Sequence, residues 1–476
     1  MGRWIDVFAR VHRAAERAYV RAPDWMQTAI CNIEGARIQL ERYPKRFDWE
    51  LQQSIARTRW PREGFEATRL ERLRTMLTHA GRHVPYWRDL FAEISFRPES
   101  IGSIEDLQRL PVLTKDIVIA EGDRMLAEHV PPCHEAGRPT RLKTSGSTGA
   151  GLSFVASQSA LLAQWAACWR FRSWHGIDRG TWSAQLTGRV VVPLAQEGGS
   201  LYRVNHAGRQ LLLSGYHLTP ETAVQYLREI AQRRIEWLHG YPSLIVLLAD
   251  AAATSGLVPP ELRWISLASE NVTTDQRARI ERGFSITPIQ HYAQTEAVAN
   301  ASEGPDGVMR LDDDFSIVEL ADDPEITARK RIYGTSLDNW HQPFIRYDTG
   351  DLAEPDFDEV ANDWVAPGRA LRSIDGRRED YIELANGALV GRTDHIFKAL
   401  PFIRQAQIRQ SVAGQVRIAV VPRDGEWTEE RQAQLRREAA ARLGDTTVDV
   451  EVVDEIARGP GGKLRLVVRE RGRRTG

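Results

Sequence analysis

Apolar positions along this chain follow two rhythms, and each predicts its own kind of element. Over the first 130 or so residues the spacing is helical. Leu73, Met76, Leu77 and Ala80 recur three and four apart, and Val84-Pro85 ends the run. From the short predicted strand LSFVA (152–156) to about residue 350, apolar runs alternate with amphipathic stretches. RVVVPLA (189–195), EWLHG (236–240) and RWISLAS (263–269) read as strands, and AVQYLREIAQRR (223–234) and SLIVLLADAAAT (243–254) as helices. A further predicted helix puts Leu161, Trp165, Cys168 and Trp169 on one face and stops near Gly176. This alternation predicts strand–helix–strand crossovers and a mixed α/β core.

The composition changes near Gly376. Beyond it come a strand (QVRIAVVP, 415–422), a helix and a second strand (TVDVEVVDEI, 447–456). The helix starts with Glu429 and Glu430, carries Leu435, Ala439 and Leu443 on one stripe, and meets Gly444 where a C-cap glycine belongs. The expected organisation is a large N-terminal mixed α/β domain (1–376, with 1–130 mainly helical) and a small C-terminal α+β domain (377–476).

With 476 residues, the chain is too long for one ordinary core. A formal net charge of -1 gives no overall pull towards nucleic acid or an anionic membrane. Cys31, Cys133 and Cys168 are odd in number and far apart, so they outline neither a disulfide framework nor a C-x-x-C metal pair. The first twenty residues lack the apolar core of a signal peptide, and no apolar run reaches bilayer length. A cytoplasmic protein without a membrane span is expected, as a monomer or homodimer.

Five clusters carry candidate chemistry. Thr144-Ser145-Gly146-Ser147-Thr148-Gly149 concentrates hydroxyls and glycines, which hold phosphate well but also make a plain turn; it lacks P-loop spacing. In His291-Tyr292-Ala293-Gln294-Thr295-Glu296, a ring that can stack on a purine precedes a hydroxyl and a carboxylate suited to Mg²⁺. Arg346-Tyr347-Asp348-Thr349-Gly350-Asp351 offers a carboxylate for ribose hydroxyls, or equally a solvated turn. Gly376-Arg377-Arg378-Glu379-Asp380 lies at the expected boundary, and Lys463 ends the glycine-rich Arg458-Gly459-Pro460-Gly461-Gly462. That lysine matters if its loop reaches a place where negative charge develops.

In this order the five clusters resemble the signature of the adenylate-forming superfamily. More narrowly, the chain resembles the phenylacetate–coenzyme A ligase family, in its capsular-polysaccharide-associated branch. HVPYWRDLF, HGYPSL (239–244), SLASEN (266–271), HYAQTE, IRYDTGDL, GRRED and GGKLR carry that resemblance across nearly the whole chain. It implies ATP, Mg²⁺ and coenzyme A as reactants, with a carboxylic acid activated as acyl-AMP and passed to an acceptor. By the same resemblance, Thr144 to Gly149 form a phosphate loop, and Ser269, Glu270 and Asn271 line an adenine pocket with Tyr292 stacked on the base. Thr295 contacts the α-phosphate, Glu296 binds Mg²⁺, Asp351 takes the ribose hydroxyls and Arg377 sits beside them. Glu379 and Asp380 mark a hinge for a mobile small domain, and Lys463 bridges carboxylate and α-phosphate.

The chain also departs from the family. Ala293 stands where many relatives have glycine, and Glu379 where aspartate is commoner. Ser302 and Met309 occupy a stretch that often carries Cys and His, so no structural zinc is expected there. His239, Tyr241, Ala268 and Trp165, with Trp169, are candidates for the acid's pocket; aromatic walls suit an aryl acid, although tryptophans at helical spacing are more often core. An amine, a hydroxyl or a carrier-protein thiol remains open as the acceptor in place of coenzyme A, as does a catalytically silent nucleotide binder.

Overall fold

The computed structural model describes residues 19, 21–134, 137–144, 152–187, 189, 191–193, 196, 198–270, 272, 274–322, 329–356, 368–377, 382–385, 389–390, 393, 395–398, 400, 402–422, 425–456 and 466–469. They form two compact units, one from residues 1–48 and 176–290, the other from 49–175 and 291–476.

In the first unit the strands run in the order Tyr202–Asn205, Gln210–Ser214, Ser183–Thr187, Trp237–Gly240, Trp264–Ala268. The first pair is antiparallel and the others are parallel. Helices Pro220–Gln232, Pro242–Thr254 and Thr274–Phe284 supply the crossovers, and their apolar faces join the strands in one core around Leu186, Leu238, Ile245 and Ile265. Proline stands in the first turn of the first two helices, where no donor is lost, and Thr219 and Thr222 form a capping box. RVVVPLA is a correction. The strand is Ser183–Thr187, and Val191–Pro193 are not in a strand; Val191 O accepts from Tyr19 Oη at 2.6 Å, and Pro193 has no N–H to offer a ladder.

In the second unit, helices Arg62–His83 and Pro85–Glu93 bury Leu73, Leu77, Ala80, Trp87 and Phe91. An antiparallel series of strands runs Ile289–Ala293, Asn300–Glu303, Met309–Leu311, Ala370–Arg377, Tyr347–Pro355, Lys330–Ser336, Ser316–Asp322. Separately, Thr447–Val452, Gln415–Pro422, Ile403–Val412 and Val467–Arg469 form a four-stranded sheet, antiparallel at its centre and parallel at both edges. Helix Glu429–Leu443 packs there with Leu435, Ala439 and Leu443 fully buried, capped by Thr428 and ended by Gly444 at φ +59°. The chain is thus a mixed α/β protein with a separate C-terminal sheet domain.

Helix Gln158–Trp174 buries only part of the expected face: Trp169 is buried, with Leu162, Ala163, Ala166, Ala167 and Arg170, whereas Leu161, Trp165 and Cys168 are half-buried. On the buried side the Arg170 guanidinium reaches Asp312 at 2.9 Å and Asp314 at 2.7 Å.

Candidate active site

Strand Ile289–Ala293 puts Tyr292 on one face and His291 and Ala293 on the other, because side chains alternate along a strand. Tyr292 Oη donates to Asp351 Oδ2 at 2.6 Å, and Gln294 Nε2 donates to the same oxygen at 2.6 Å. Asp351 is buried on strand Tyr347–Pro355, opposite the backbone of Arg377 in the ladder. Its own N–H donates to Thr349 Oγ1 at 3.0 Å, and that hydroxyl donates to Ile332 O at 2.8 Å. Gly350 makes the turn with φ +74°, which costs glycine nothing. Burial, followed by the negative charge of Asp351, pushes the Tyr292 hydroxyl well above the ordinary phenol range. Tyr292 therefore stays protonated and acts as a donor.

The turn that follows holds Thr295 exposed and Glu296 buried. Ala297, immediately after, has φ +55°, a left-handed conformation that costs a non-glycine residue about 1–3 kcal/mol. Packing offsets that cost, since Ala297 sits against Ala163, Ala167 and Phe315, and the small alanines let the turn come close to helix Gln158–Trp174.

Thr144 closes the hairpin formed by Thr140–Lys143 and Ser153–Ala156. Its N–H donates to Leu152 O at 2.8 Å and its Oγ1 accepts from Leu152 N at 2.9 Å. The hydroxyl oxygen thus joins the two ends of the hydroxyl- and glycine-rich segment. Trp165 is half-buried on the helix that follows.

In the first unit, the carboxyl ends of the parallel strands gather a second group, where open α/β sheets bind ligands. His239 is opposite Ser266, with its Nδ1 2.9 Å from Ser266 Oγ, which also accepts from Trp237 Nε1 at 2.7 Å. Tyr241 caps helix Pro242–Thr254, and Ala268 ends its strand. Gly240 must be glycine, since a Cβ there would lie 2.1 Å from Leu186 O. Ser269 has φ +71° and is exposed, with Glu270 half-buried beside it.

Ser145, Gly146, Ser147, Thr148, Gly149, Asn271, Glu379, Asp380 and Lys463 lie outside the described residues, as does the side chain of Arg377.

Sequence reasoning missed three contributors. Gln294 is a second donor to Asp351. Arg346, inside the IRYDTGDL motif, is structural: its guanidinium pairs with Glu319 at 2.9 Å and donates to the carbonyls of Gln108 and Leu110. The run Asp312-Asp313-Asp314 is buried, held by Arg170, Arg57, Arg69 and Arg369. The available signal was an arginine in the apolar run of a helix, since such a charge needs a buried partner.

Residues 383–470 match the CapK C-terminal domain. Over 466 residues, covering 94% of this chain and 98% of the relative, the sequence is 22% identical to Protein CapK of Staphylococcus aureus. It is also 24% identical over 340 residues to phenylacetate-coenzyme A ligase of Pseudomonas putida, covering 66% of this chain and 70% of that protein. In fold it resembles 2-hydroxyisobutyryl-CoA ligase in the postadenylation state with R3-HIB-AMP, at a TM-score of 0.55 and 19% identity over 87% of this chain and 91% of that one. The same ligase with 2-HIB-AMP and CoA, in its thioesterification state, matches at 0.55 and 20% identity with the same coverage. The chain therefore has the fold of the adenylate-forming ligases, as the five ordered clusters implied.

Proposed function

We propose that this chain joins a carboxylic acid to the α-phosphate of ATP, releases pyrophosphate, and passes the acyl group from acyl-AMP to coenzyme A. The observation that carries the reading is the buried Asp351 carboxylate, fixed by Tyr292 and Gln294 on the same strand and turn that carry Thr295 and Glu296. A carboxylate held in this way accepts ribose hydroxyls with little reorganisation. The half-buried Tyr292 ring offers the base an apolar face, and the exposed Thr295 hydroxyl is available to an α-phosphate oxygen.

Among the described residues, no group of three His, Cys, Asp or Glu is set to hold a metal by itself. Mg²⁺ takes one or two carboxylates and completes its shell with phosphate oxygens and water, and Glu296 is the carboxylate that would hold it. The bound ion would neutralise phosphate charge as a Lewis acid. Thr144 and the segment through Gly149 are assigned to the β- and γ-phosphates, Ser269, Glu270 and Asn271 to the adenine, and Arg377 to the ribose edge. Lys463 brings a positive charge between two anions that must meet, and Glu379-Asp380 form the hinge that exchanges its loop for the thioester-forming face. His239, Tyr241 and Ala268 are assigned to the acid.

Carboxylate-dependent pyrophosphate release, measured with coenzyme A present and absent, tests this reading. Fast turnover that requires coenzyme A is expected. Equal rates without it would move the acyl group to an amine, a hydroxyl or a carrier-protein thiol.

A further inference from the structure

Two amides, the buried Asn300 and the half-buried Gln164, meet on the opposite side of the Tyr292 strand. Asn300 is directly across the ladder from Ala293, so the two side chains share a face, and helix Gln158–Trp174 covers that face through Phe171 on His291 and Ala163 and Ala167 on Ala297. From this helix Gln164 Nε2 donates to Asn300 Oδ1 at 3.2 Å. Asn300 is fully buried, yet its Nδ2 has no partner among the described residues, and the same holds for the buried Oε1 of Gln164. Turning both amides over exchanges which residue offers the donor and which the acceptor, but one of each is still left. Buried polar groups without partners are rare and expensive, so a leftover donor beside a leftover acceptor calls for something that fills both roles.

A hydroxyl group does so, accepting from one amide and donating to the other. Residues assigned to the substrates are near in sequence. Ala293 is exposed, Thr295 and Glu296 follow two and three residues later, and Trp165 is next to Gln164 on the helix.

We infer that Gln164 and Asn300 form a specificity pair that recognises a hydroxyl on the carboxylic acid, so that the substrate is a hydroxy acid and not its deoxy analogue. This rests on the acid-activation reading above. No bond in the acid is made or broken at the pair. It selects among acids by leaving two polar groups unpaired when the hydroxyl is missing, a kind of discrimination far stronger than that of an apolar pocket.

The test uses matched acids that differ by one hydroxyl, such as 3-hydroxybutyrate with butyrate and 4-hydroxybenzoate with benzoate. Binding is followed by calorimetry and turnover by pyrophosphate release, for the full chain and for the Gln164→Met and Asn300→Leu variants. In at least one pair the hydroxy acid should be preferred roughly ten-thousandfold in kcat/KM. Each variant should reduce that preference to within a few-fold while still turning over the deoxy acid. Equal use of both members of every pair by the unaltered chain would overturn the inference and leave the ligase reading intact. Hydroxyl-selective binding lost in Gln164→Met, but without any pyrophosphate release, would uphold the pair and sink the ligase reading. Variants that keep the preference and change only the melting temperature would assign the amides to an enclosed water and overturn the inference.

Discussion

Tyr292 and Asp351 are joined by a 2.6 Å hydrogen bond that fixes the carboxylate on one strand from the phenol of another. The bond keeps Asp351 Oδ2 facing Tyr292 and Gln294, and it orients the tyrosine ring at the same time. Tyr292→Phe should therefore raise the KM for ATP about 3- to 10-fold, the equivalent of one lost hydrogen bond, with little loss of kcat. Steady-state pyrophosphate release at varied ATP checks this, and an unchanged KM would remove the pair from nucleotide binding.

Thr144 closes its hairpin through its side-chain oxygen. Thr144→Val keeps the shape and removes the acceptor, leaving Leu152 N–H unpaired in a buried place. Pyrophosphate release should fall roughly 5- to 10-fold, about 1 kcal/mol, and Thr144→Ser should restore most of it. Full release in Thr144→Val together with a loss in Thr144→Ser would mean that the methyl group, not the oxygen, is what matters.

Arg170 is buried between Asp312 and Asp314. Removing it in Arg170→Met takes the arginine from the buried Asp312 and leaves Asp314 with Arg57, so unfolding stability should drop by about 3–5 kcal/mol. Arg37, paired with Glu34 and Glu41 on an exposed helix face, should change stability by no more than ~0.5 kcal/mol when replaced by alanine. Urea denaturation of both variants reads the contrast, and similar midpoints would contradict it.

His79 is buried, with Nε2 2.8 Å from Trp340 O, so its N–H donates there. Burial above all, then the neighbouring His83, His134 and His129, lowers its pKa to about 4. The unfolded chain takes up this proton near pH 6.5 and the folded chain only near 4. Stability from this group is present above pH 6.5 and is lost as pH falls towards 4, by up to ~1.4 kcal/mol per pH unit. His79→Gln, which keeps a donor but cannot titrate, should flatten this part of the stability–pH curve. An identical slope in the variant would assign the acid sensitivity elsewhere.

The elements that could be read from the sequence were those with strong periodicity and a clear stop. Leu435, Ala439, Leu443 and Gly444 outlined their helix and its cap, and EWLHG and RWISLAS became adjacent parallel strands. The misreadings came where a distant partner overrides local pattern. Val191 and Val192 look like a strand, but proline follows them and Tyr19 takes the Val191 carbonyl. The tryptophan stripe of Gln158–Trp174 is only partly inward, with Trp169 buried and Trp165 half-buried, and a buried arginine shares that side. Motif spacing found Tyr292, Glu296 and Asp351 as types of chemistry. It could not reveal that Gln294 shares the same carboxylate oxygen, or that Arg346 braces Glu319, because both depend on strand pairing between distant segments.

The most direct test of the account is ATP- and Mg²⁺-dependent pyrophosphate release across a library of carboxylic acids, for the unaltered chain and for Lys463→Ala. The account predicts release that depends on the acid and falls by orders of magnitude in the variant, while ATP binding is largely kept. Acid-dependent release that continues at the same rate in Lys463→Ala would contradict it.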